Sequence, residues 1–245
     1  MKTLVIAHRG ASAYAPENTL EAFRLAAEMH ADGVELDVYK TADGQIAVSH
    51  DNRLGRCAKD GAGTVTEQTL DQLLKYNFNN GMDEKYPVCR IPTLGQVYDL
   101  LFDTGLFVNV ELKMQGYDFV KSVDECAKAH KMCDRVIYSS FLHYALYDMK
   151  RINPDAFTAP LHGGELFEPW NYCKTFGAKA IHPHLGPVFG IENYVEDCHK
   201  AGVRIHPWTV DSEEDLKRMF ELGVDAVITN RPDVALRIRK EVQGQ

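Results

Sequence analysis

Two short stretches, Val34-Glu35-Leu36-Asp37-Val38 and Val108-Asn109-Val110-Glu111-Leu112-Lys113, decide the fold class. In both, apolar residues alternate with polar or charged ones, which is the pattern of a β-strand with two different faces. Side chains two residues apart share a face, so the polar residues of each stretch lie together. Strands buried in a parallel sheet are normally apolar on both faces. These polar faces therefore predict a barrel interior close to an active site.

Similar strand-like segments recur along the chain, with helical stretches between them. About eight strand–helix units fill the 245 residues, which predicts an α/β fold of the (β/α)₈ TIM-barrel type. The alternative is an open doubly wound sheet, but that fold usually has a G-x-G-x-x-G loop after its first strand, and none is present here. The predicted strands cover residues 2–7, 34–38, 46–48, 107–112, 135–138, 157–161, 178–182, 203–205 and 226–228. The predicted helices cover residues 18–29, 94–102, 119–131, 142–152, 192–201, 213–222 and 232–242.

One long segment, residues 52–90, interrupts this alternation. It is rich in glycine and contains a helix candidate over residues 70–76. Long loops in barrels often carry function. We predict that the segment is an insertion folded over the barrel mouth. No internal repeat or linker divides the chain, so residues 1–245 are predicted to form a single domain.

The overall charge excludes some classes of partner. The chain has 27 Lys and Arg against 35 Asp and Glu, a formal net charge of −8. Nucleic acids and anionic membranes require neutralisation of phosphates, so neither is expected as a partner. The apolar run over residues 4–7 is too short for a signal peptide or a membrane span. Six scattered cysteines without a C-x-x-C pair are typical of reduced thiols, which predicts a cytoplasmic protein.

Three carboxylates of the two opening stretches, Glu35, Asp37 and Glu111, are predicted to converge in the barrel interior. Such a group is costly to bury unless a positive charge neutralises it. Hard oxygen ligands fit one divalent cation, Mg²⁺ or Ca²⁺. Two alternatives remain open at this point. The strands could be solvated on one side, or Lys113 could simply pair with one of the carboxylates.

Two histidines end strand-like segments, His8 before Arg9-Gly10 and His50 before Asp51. A lone histidine at a strand end is often structural, but two around the same carboxylates favour proton transfer. The planar guanidinium of Arg9 suits a pair of phosphate oxygens. The alternative is that Arg9 forms a structural ion pair with Glu17 or Asp37.

Two further residues are candidates for the same pocket. Glu17 could reach the metal region or hold Arg9, while Asn18 or Thr19 caps the following helix. Trp208, at the end of a strand, could wall the pocket against an apolar part of a ligand, or it could pack in the core. The remaining strand-end histidines lack a defensible metal-ligand spacing and are predicted to be structural or rim residues: His162, His182, His184 and His206.

The ordered set of motifs resembles the glycerophosphodiester phosphodiesterase family, most closely its bacterial cytoplasmic type. The resemblance extends over nearly the whole chain, and its order and spacing are far more specific than any single motif. The matching motifs are His8-Arg9-Gly10, Pro16-Glu17-Asn18-Thr19, Gly33 to Val38, Asp43-Gly44, His50-Asp51, Ile91 to Leu94, Val110 to Lys113, Ser140-Phe141, Trp208-Thr209-Val210 and Gly223 to Pro232.

The resemblance implies a TIM barrel that hydrolyses small glycerophosphodiesters, such as glycerophosphocholine or glycerophosphoethanolamine, to an alcohol and sn-glycerol 3-phosphate. By position, it assigns metal binding to the three carboxylates and phosphate contacts to Arg9 and Lys113. It assigns acid–base catalysis to His8 and His50, with His50 favoured as the acid. It leaves open direct attack by water or prior attack by the substrate's own hydroxyl. Three departures from the family pattern, Asn230, Ala226 and Asp211, are expected not to touch this chemistry.

Other functions remain as alternatives. One is a lipid-directed phosphodiesterase, either a lysophospholipase D or a phospholipase C-like enzyme, which would need an apolar rim. Another is a barrel that binds glycerophosphodiesters without catalysis, which would not need both histidines. A third is a sugar-phosphate isomerase or aldolase on the same fold. The native metal, the preferred head group and the oligomeric state are not predicted.

Overall fold

The structure, a computed structural model, describes residues 2–244, so Met1 and Gln245 of the predicted domain lie outside the described residues. The described chain forms nine β-strands separated by helices and loops. In chain order they are β1 (Leu4–His8), β2 (Gly33–Lys40), β3 (Ile46–Val48), β4 (Phe107–Leu112), β5 (Val136–Ser140), β6 (Phe157–His162), β7 (Ala180–Pro183), β8 (Arg204–Ile205) and β9 (Ala226–Thr229).

Eight of these strands run parallel in the order β8-β7-β6-β5-β4-β2-β1-β9, while β3 pairs antiparallel with β2. Individual backbone hydrogen bonds connect the two ends of this sheet. The amide of Asp225 donates to the carbonyl oxygen of Ile205 at 3.1 Å, and the amide of Ile228 donates to that of Pro207 at 2.9 Å. The sheet is therefore a nearly closed barrel, which confirms the predicted TIM-barrel class.

Helices surround the sheet and connect successive strands. They are α1 (Leu20–Glu28), α2 (Leu70–Leu73), α3 (Leu94–Leu101), α4 (Tyr117–Ala129), α5 (His143–Ile152), α6 (Pro169–Phe176), α7 (Leu185–Gly190), α8 (Tyr194–Lys200), α9 (Glu213–Leu222) and α10 (Pro232–Gln243). Side-chain caps explain several starting points. Thr19 accepts a hydrogen bond from Ala22, Thr93 forms a capping box with Gln96, and Ser212 accepts from Asp215.

Side chains of the barrel strands alternate between two apolar cores, an outer one between the strands and the helices and an inner one inside the barrel. Val34, Leu36 and Val38 pack outward in a buried cluster that includes helix residues such as Phe23 and Tyr98. The inner layers of the barrel are filled by small clusters of apolar side chains, namely Ile6, Ala226 and Ile228, and Ile137, Ala159 and Ala180. The barrel is thus packed along its axis, and the polar side chains of β2 and β4 lie at its carboxyl end.

The structure contains two helices that the sequence pattern does not predict, α6 and α7. Helix α7 contains Gly186, Pro187 and Gly190, all poor helix formers, and it buries Val188. Helix α2 is shorter than predicted and ends at Leu73. Tertiary packing, rather than local propensity, therefore determines these helices.

The predicted insertion has its own small core. Leu54, Ala58, Val65, Leu73 and Phe78 are buried in one cluster with Ala47 and Ile91. A search of the described residues for a helix long and apolar enough to cross a membrane finds none.

Candidate active site

The site lies where β1, β2 and β4 end next to one another. His8 at the end of β1 is in register with Glu35 on β2, and Asp37 is in register with Glu111 on β4. In parallel strands, residues in register have side chains on the same face. Strand pairing alone therefore brings the predicted carboxylates together with the first predicted histidine.

The three predicted carboxylates form one cluster. Glu35, Asp37 and Glu111 each offer an oxygen atom, and these atoms lie within 4.8 Å of one another. All three residues are buried. Oδ1 of Asp37 has no hydrogen-bond partner among residues 2–244 and lies 3.5 Å from Nζ of Lys113.

Burial and mutual repulsion shift the pKa values of these carboxyl groups, and the neighbouring cations offset the shift only at Asp37. Burial and the neighbouring Asp37 and Glu111 raise the pKa of Glu35 well above its usual range. Burial and Asp37 likewise raise the pKa of Glu111 to about 7. Burial opposes ionisation of Asp37 too, but Arg9 and Lys113 outweigh it and lower the pKa of that carboxyl. A divalent cation with oxygen ligands would relieve this repulsion and pair with the orphaned Asp37 oxygen, so the donor set fits Mg²⁺ or Ca²⁺.

Arg9 and Lys113 lie against the carboxylates. Nη1 of Arg9 donates to Glu17 at 2.9 Å, and its Nε lies 3.5 Å from Asp37. Nζ of Lys113 donates to Glu111 at 2.9 Å. The ion pairs considered as alternatives are therefore present, and they hold both cations at the edge of the cluster.

Glu17 holds Arg9 rather than reaching the carboxylates. Its carboxylate also accepts two hydrogen bonds, each of 2.8 Å, from Arg56 of the predicted insertion. Burial would raise the pKa of Glu17, but hydrogen bonds from Arg56 and the charge of Arg9 lower it to about 2. Glu17 thus stays ionised and connects the insertion to the site.

The two candidate histidines line the same cavity but have different partners. Nδ1 of His8 lies 2.7 Å from Oδ1 of Asn230, whereas Nδ1 of His50 lies 2.7 Å from the carboxylate of Asp51. Burial and the charge of Arg9 lower the pKa of His8 to about 4. Burial also lowers the pKa of His50, against the opposing effect of Asp37.

The cavity between these groups has one charged side and one apolar side. Its volume is about 60 Å³, and His50 also lines an adjoining depression of about 470 Å³. Trp208 contributes to the apolar wall and contacts Phe141 edge-to-face, with ring centroids 5.4 Å apart. The remaining apolar wall is formed by Leu161 and Ile228.

Sequence comparison agrees with this geometry. The sequence model of the glycerophosphoryl diester phosphodiesterase family matches residues 8–234, which include every predicted site residue. The chain belongs to the glycerophosphoryl diester phosphodiesterase family. The resemblance seen in the motifs is therefore confirmed.

Individual members of the family match along almost the entire chain. A glycerophosphodiester phosphodiesterase of Caldanaerobacter subterraneus subsp. tengcongensis is 40% identical over 242 residues, which cover 97% of this chain and 98% of the relative. Another from Bacillus altitudinis is 35% identical and covers 98% and 100%. An Oleispira antarctica phosphodiesterase, solved in complex with the product sn-glycerol-3-phosphate, superposes with a TM-score of 0.90 at 27% identity and covers 96% of each chain.

The expectation that the departure at Asn230 does not touch the predicted chemistry is wrong, because Asn230 contacts a predicted catalytic histidine. Asn230 is hydrogen-bonded to His8 and also to Asp211, at 2.6 Å. Asn18, considered as a helix cap, instead donates to Asp37 at 2.9 Å, while Thr19 caps the helix. Residues so far apart in sequence give no local signal of contact. The contact between Asn230 and His8 could have been predicted only from the pairing of β9 with β1.

Proposed function

We propose that this protein hydrolyses small glycerophosphodiesters to an alcohol and sn-glycerol 3-phosphate. The observation that carries the proposal is the single cavity in which His8 and His50 flank the buried carboxylate cluster. The family match and the product complex of the Oleispira antarctica relative support the choice of substrate. Glycerophosphocholine and glycerophosphoethanolamine are the substrates to test first.

Glu35, Asp37 and Glu111 would hold one divalent cation, Mg²⁺ or Ca²⁺. A cation held there would supply positive charge against the negative charge that develops on the phosphoryl oxygens. Arg9 and Lys113 contribute to the same stabilisation and bind the phosphate. Both remain protonated, because neighbouring carboxylates raise the pKa of each side chain against the effect of burial.

His8 acts as the base and His50 as the acid. His8 takes the proton of the attacking hydroxyl as its oxygen bonds to phosphorus, and His50 gives a proton to the alcohol oxygen as its bond to phosphorus breaks. Their partners support this division. The Asp51 carboxylate stabilises a protonated imidazole, whereas Asn230 offers His8 a neutral oxygen.

The other predicted residues complete the pocket. Glu17 orients Arg9, and Trp208 contacts the glycerol part of the substrate.

Residues 52–90 form the insertion over the barrel mouth, as the hydrogen bonds from Arg56 to Glu17 support. Residues 1–245 form one domain, supported by the family match over residues 8–234. We infer a cytoplasmic location, since all six cysteines are free thiols.

The test is release of glycerol 3-phosphate from glycerophosphocholine by the purified protein. Exhaustive chelation should abolish activity, and Mg²⁺ or Ca²⁺ should restore it. Glu111→Gln should require more cation for half-maximal rate, by about 10- to 100-fold. Glu84→Gln, an exposed carboxylate outside the cavity, serves as the control. Full activity after chelation would contradict the proposal, and binding without release would support the non-catalytic alternative.

One observation favours a second candidate function, hydrolysis of lysophospholipids. Phe141, which lines the cavity, is 46% exposed, and two aromatic side chains that follow β5 and β6 in the chain are also exposed, Tyr144 at 75% and Phe167 at 89%. An apolar rim of this kind suits an acyl chain. Micellar lysophosphatidylcholine tested against glycerophosphocholine separates the two functions. A higher kcat/KM on the micellar substrate, lost in Tyr144→Ser, would favour the lipid-directed activity.

A further inference from the structure

The nitrogen of His8 that faces away from the carboxylates is bound by a residue at the other end of the chain. Nδ1 of His8 lies 2.7 Å from Oδ1 of Asn230, while its Nε2 lies 3.9 Å from Glu35. The pairing of β1 with β9 explains this contact. Ala7 is in register with Thr229, so His8 and Asn230 are the next residues along the two strands.

Asp211 determines which way the Asn230 amide points. One oxygen of the Asp211 carboxylate lies 2.6 Å from Nδ2 of Asn230. Its other oxygen accepts from the backbone amide of Asn230 at 2.8 Å and from the hydroxyl of Thr229 at 3.0 Å. Both oxygens of Asp211 act as acceptors in these contacts, so the NH₂ group of Asn230 faces Asp211. Its oxygen, Oδ1, therefore faces His8.

Ser12 is compatible with this orientation but does not determine it, because its single hydroxyl hydrogen can point to Oδ1 of Asn230 or to the carbonyl oxygen of His8. Its hydroxyl lies 2.7 Å from Oδ1 of Asn230 and 2.7 Å from the carbonyl oxygen of His8. A flipped amide would place its oxygen next to a carboxylate oxygen of Asp211, with no hydrogen between them. Oδ1 of Asn230 can only accept, so Nδ1 of His8 must carry the hydrogen.

We propose that Asn230, oriented by Asp211, is a positioning residue that holds His8 as the Nδ1–H tautomer, with the lone pair of Nε2 directed into the cavity. The inference rests on the proposed role of His8 as the base. A base needs an unprotonated nitrogen within reach of the attacking hydroxyl. If the hydrogen were on Nε2 instead, that nitrogen would be a hydrogen-bond donor and could not accept a proton from the attacking hydroxyl.

Asp211→Asn is the sharpest test, because it is isosteric and Asp211 does not line the cavity. The remaining side-chain oxygen at position 211 would still accept from Thr229 and from the backbone amide, so the introduced NH₂ group would face Asn230. Asn230 would then flip and present its own NH₂ group to His8, forcing the wrong tautomer. We expect kcat to fall by about 10- to 100-fold with little change in KM.

The exchange variant Asp211→Asn/Asn230→Asp should recover most of the rate that Asp211→Asn loses, because the carboxylate at position 230 again accepts from Nδ1 of His8, although its charge also favours the protonated form of that imidazole. A residue needed only for folding would not show this rescue. Asp103→Asn, at an exposed position, is the matched control. Thermal melting of each variant checks that it is folded.

A spectroscopic measurement tests the tautomer without reference to activity. In ¹⁵N-histidine-labelled protein, the His8 signals are assigned by their loss in His8→Gln. Wild type should show a pyrrole-type Nδ1 and a pyridine-type Nε2, and Asp211→Asn should show the reverse. A wild-type Nε2–H tautomer would overturn the proposal, and so would an Asp211→Asn variant with normal kcat.

The outcomes also separate this inference from the proposed function. If His8→Gln keeps its activity, the role of His8 as base is wrong and the inference fails with it. If His8→Gln is inactive while Asp211→Asn has wild-type kcat, the role of His8 stands and only the positioning by Asn230 is wrong.

Discussion

The two halves of the barrel interior both contain histidines, but these histidines are in opposite situations. In the half built from β1, β2 and β4, His8 lines a cavity and lies beside Glu35. In the half built from β7 and β8, His182 and the adjacent His206 are buried and hydrogen-bonded to each other at 2.9 Å.

The difference shows what makes a histidine available for chemistry. His8 has Nδ1 hydrogen-bonded to Asn230, while its Nε2 lies 3.9 Å from Glu35 of the carboxylate cluster. Nε2 of His182 is hydrogen-bonded to His206, and its Nδ1 is buried without a partner among residues 2–244. Burial lowers the pKa of both members of this pair, so they remain neutral. The prediction that His182 and His206 are structural agrees with this geometry.

The largest expected effect comes from the two histidines that line the cavity, His8 and His50. His8→Gln and His50→Gln should each lower kcat on glycerophosphocholine by about 10²- to 10⁴-fold. The p-nitrophenyl ester of glycerol 3-phosphate has a leaving group that needs no proton. It should therefore rescue His50→Gln to within about 10-fold of wild type but should not rescue His8→Gln. Rescue of His8→Gln alone would reverse the assignment of acid and base.

A smaller effect, on the free energy of unfolding, is expected from the buried histidine pair in the half built from β7 and β8. Burial lowers the pKa of His206 to about 4, from 6.5 in the unfolded chain. Between these values only the unfolded chain takes up the proton, so the free energy of unfolding should fall as the pH falls. The full effect is about 3 kcal/mol.

Urea unfolding of wild type and of His206→Gln between pH 6.5 and 4 measures this difference. The variant should lose part of the pH dependence while keeping kcat close to wild type at pH 7. His30→Asn, at an exposed position, is the control and should behave like wild type. An equal slope in His206→Gln and wild type would show that His206 is not neutralised by folding.

The smallest expected effect concerns the apolar wall of the cavity. Trp208→Leu removes the ring proposed to contact the glycerol part of the substrate, together with its edge-to-face contact with Phe141, an interaction worth about 0.5–1.5 kcal/mol. KM for glycerophosphocholine should rise by about 3- to 10-fold with kcat nearly unchanged. Trp170→Leu, on the outer side of the barrel, should leave KM unchanged. A large fall in kcat in Trp208→Leu would instead mean that Trp208 orients the reacting groups.

Most of the fold could be predicted from the sequence because its signals are local. The strand at Phe107–Leu112 and the helix at Glu213–Leu222 have the predicted bounds. Alternation within β2 and β4 also shows which side chains share a face. Helices α6 and α7 could not be predicted, because their residues form a helix only when packed on the barrel.

The candidate site divides in the same way. The sequence by itself determined the carboxylates of β2 and β4, since two-residue periodicity places Glu35 and Asp37 on one face whatever surrounds them. Only the tertiary structure decided which partner each histidine has. Asn230 lies 222 residues from His8, and the pairing of β9 with β1 brings them together. Periodicity acts within one strand, whereas a hydrogen bond between distant residues exists only after the barrel is assembled.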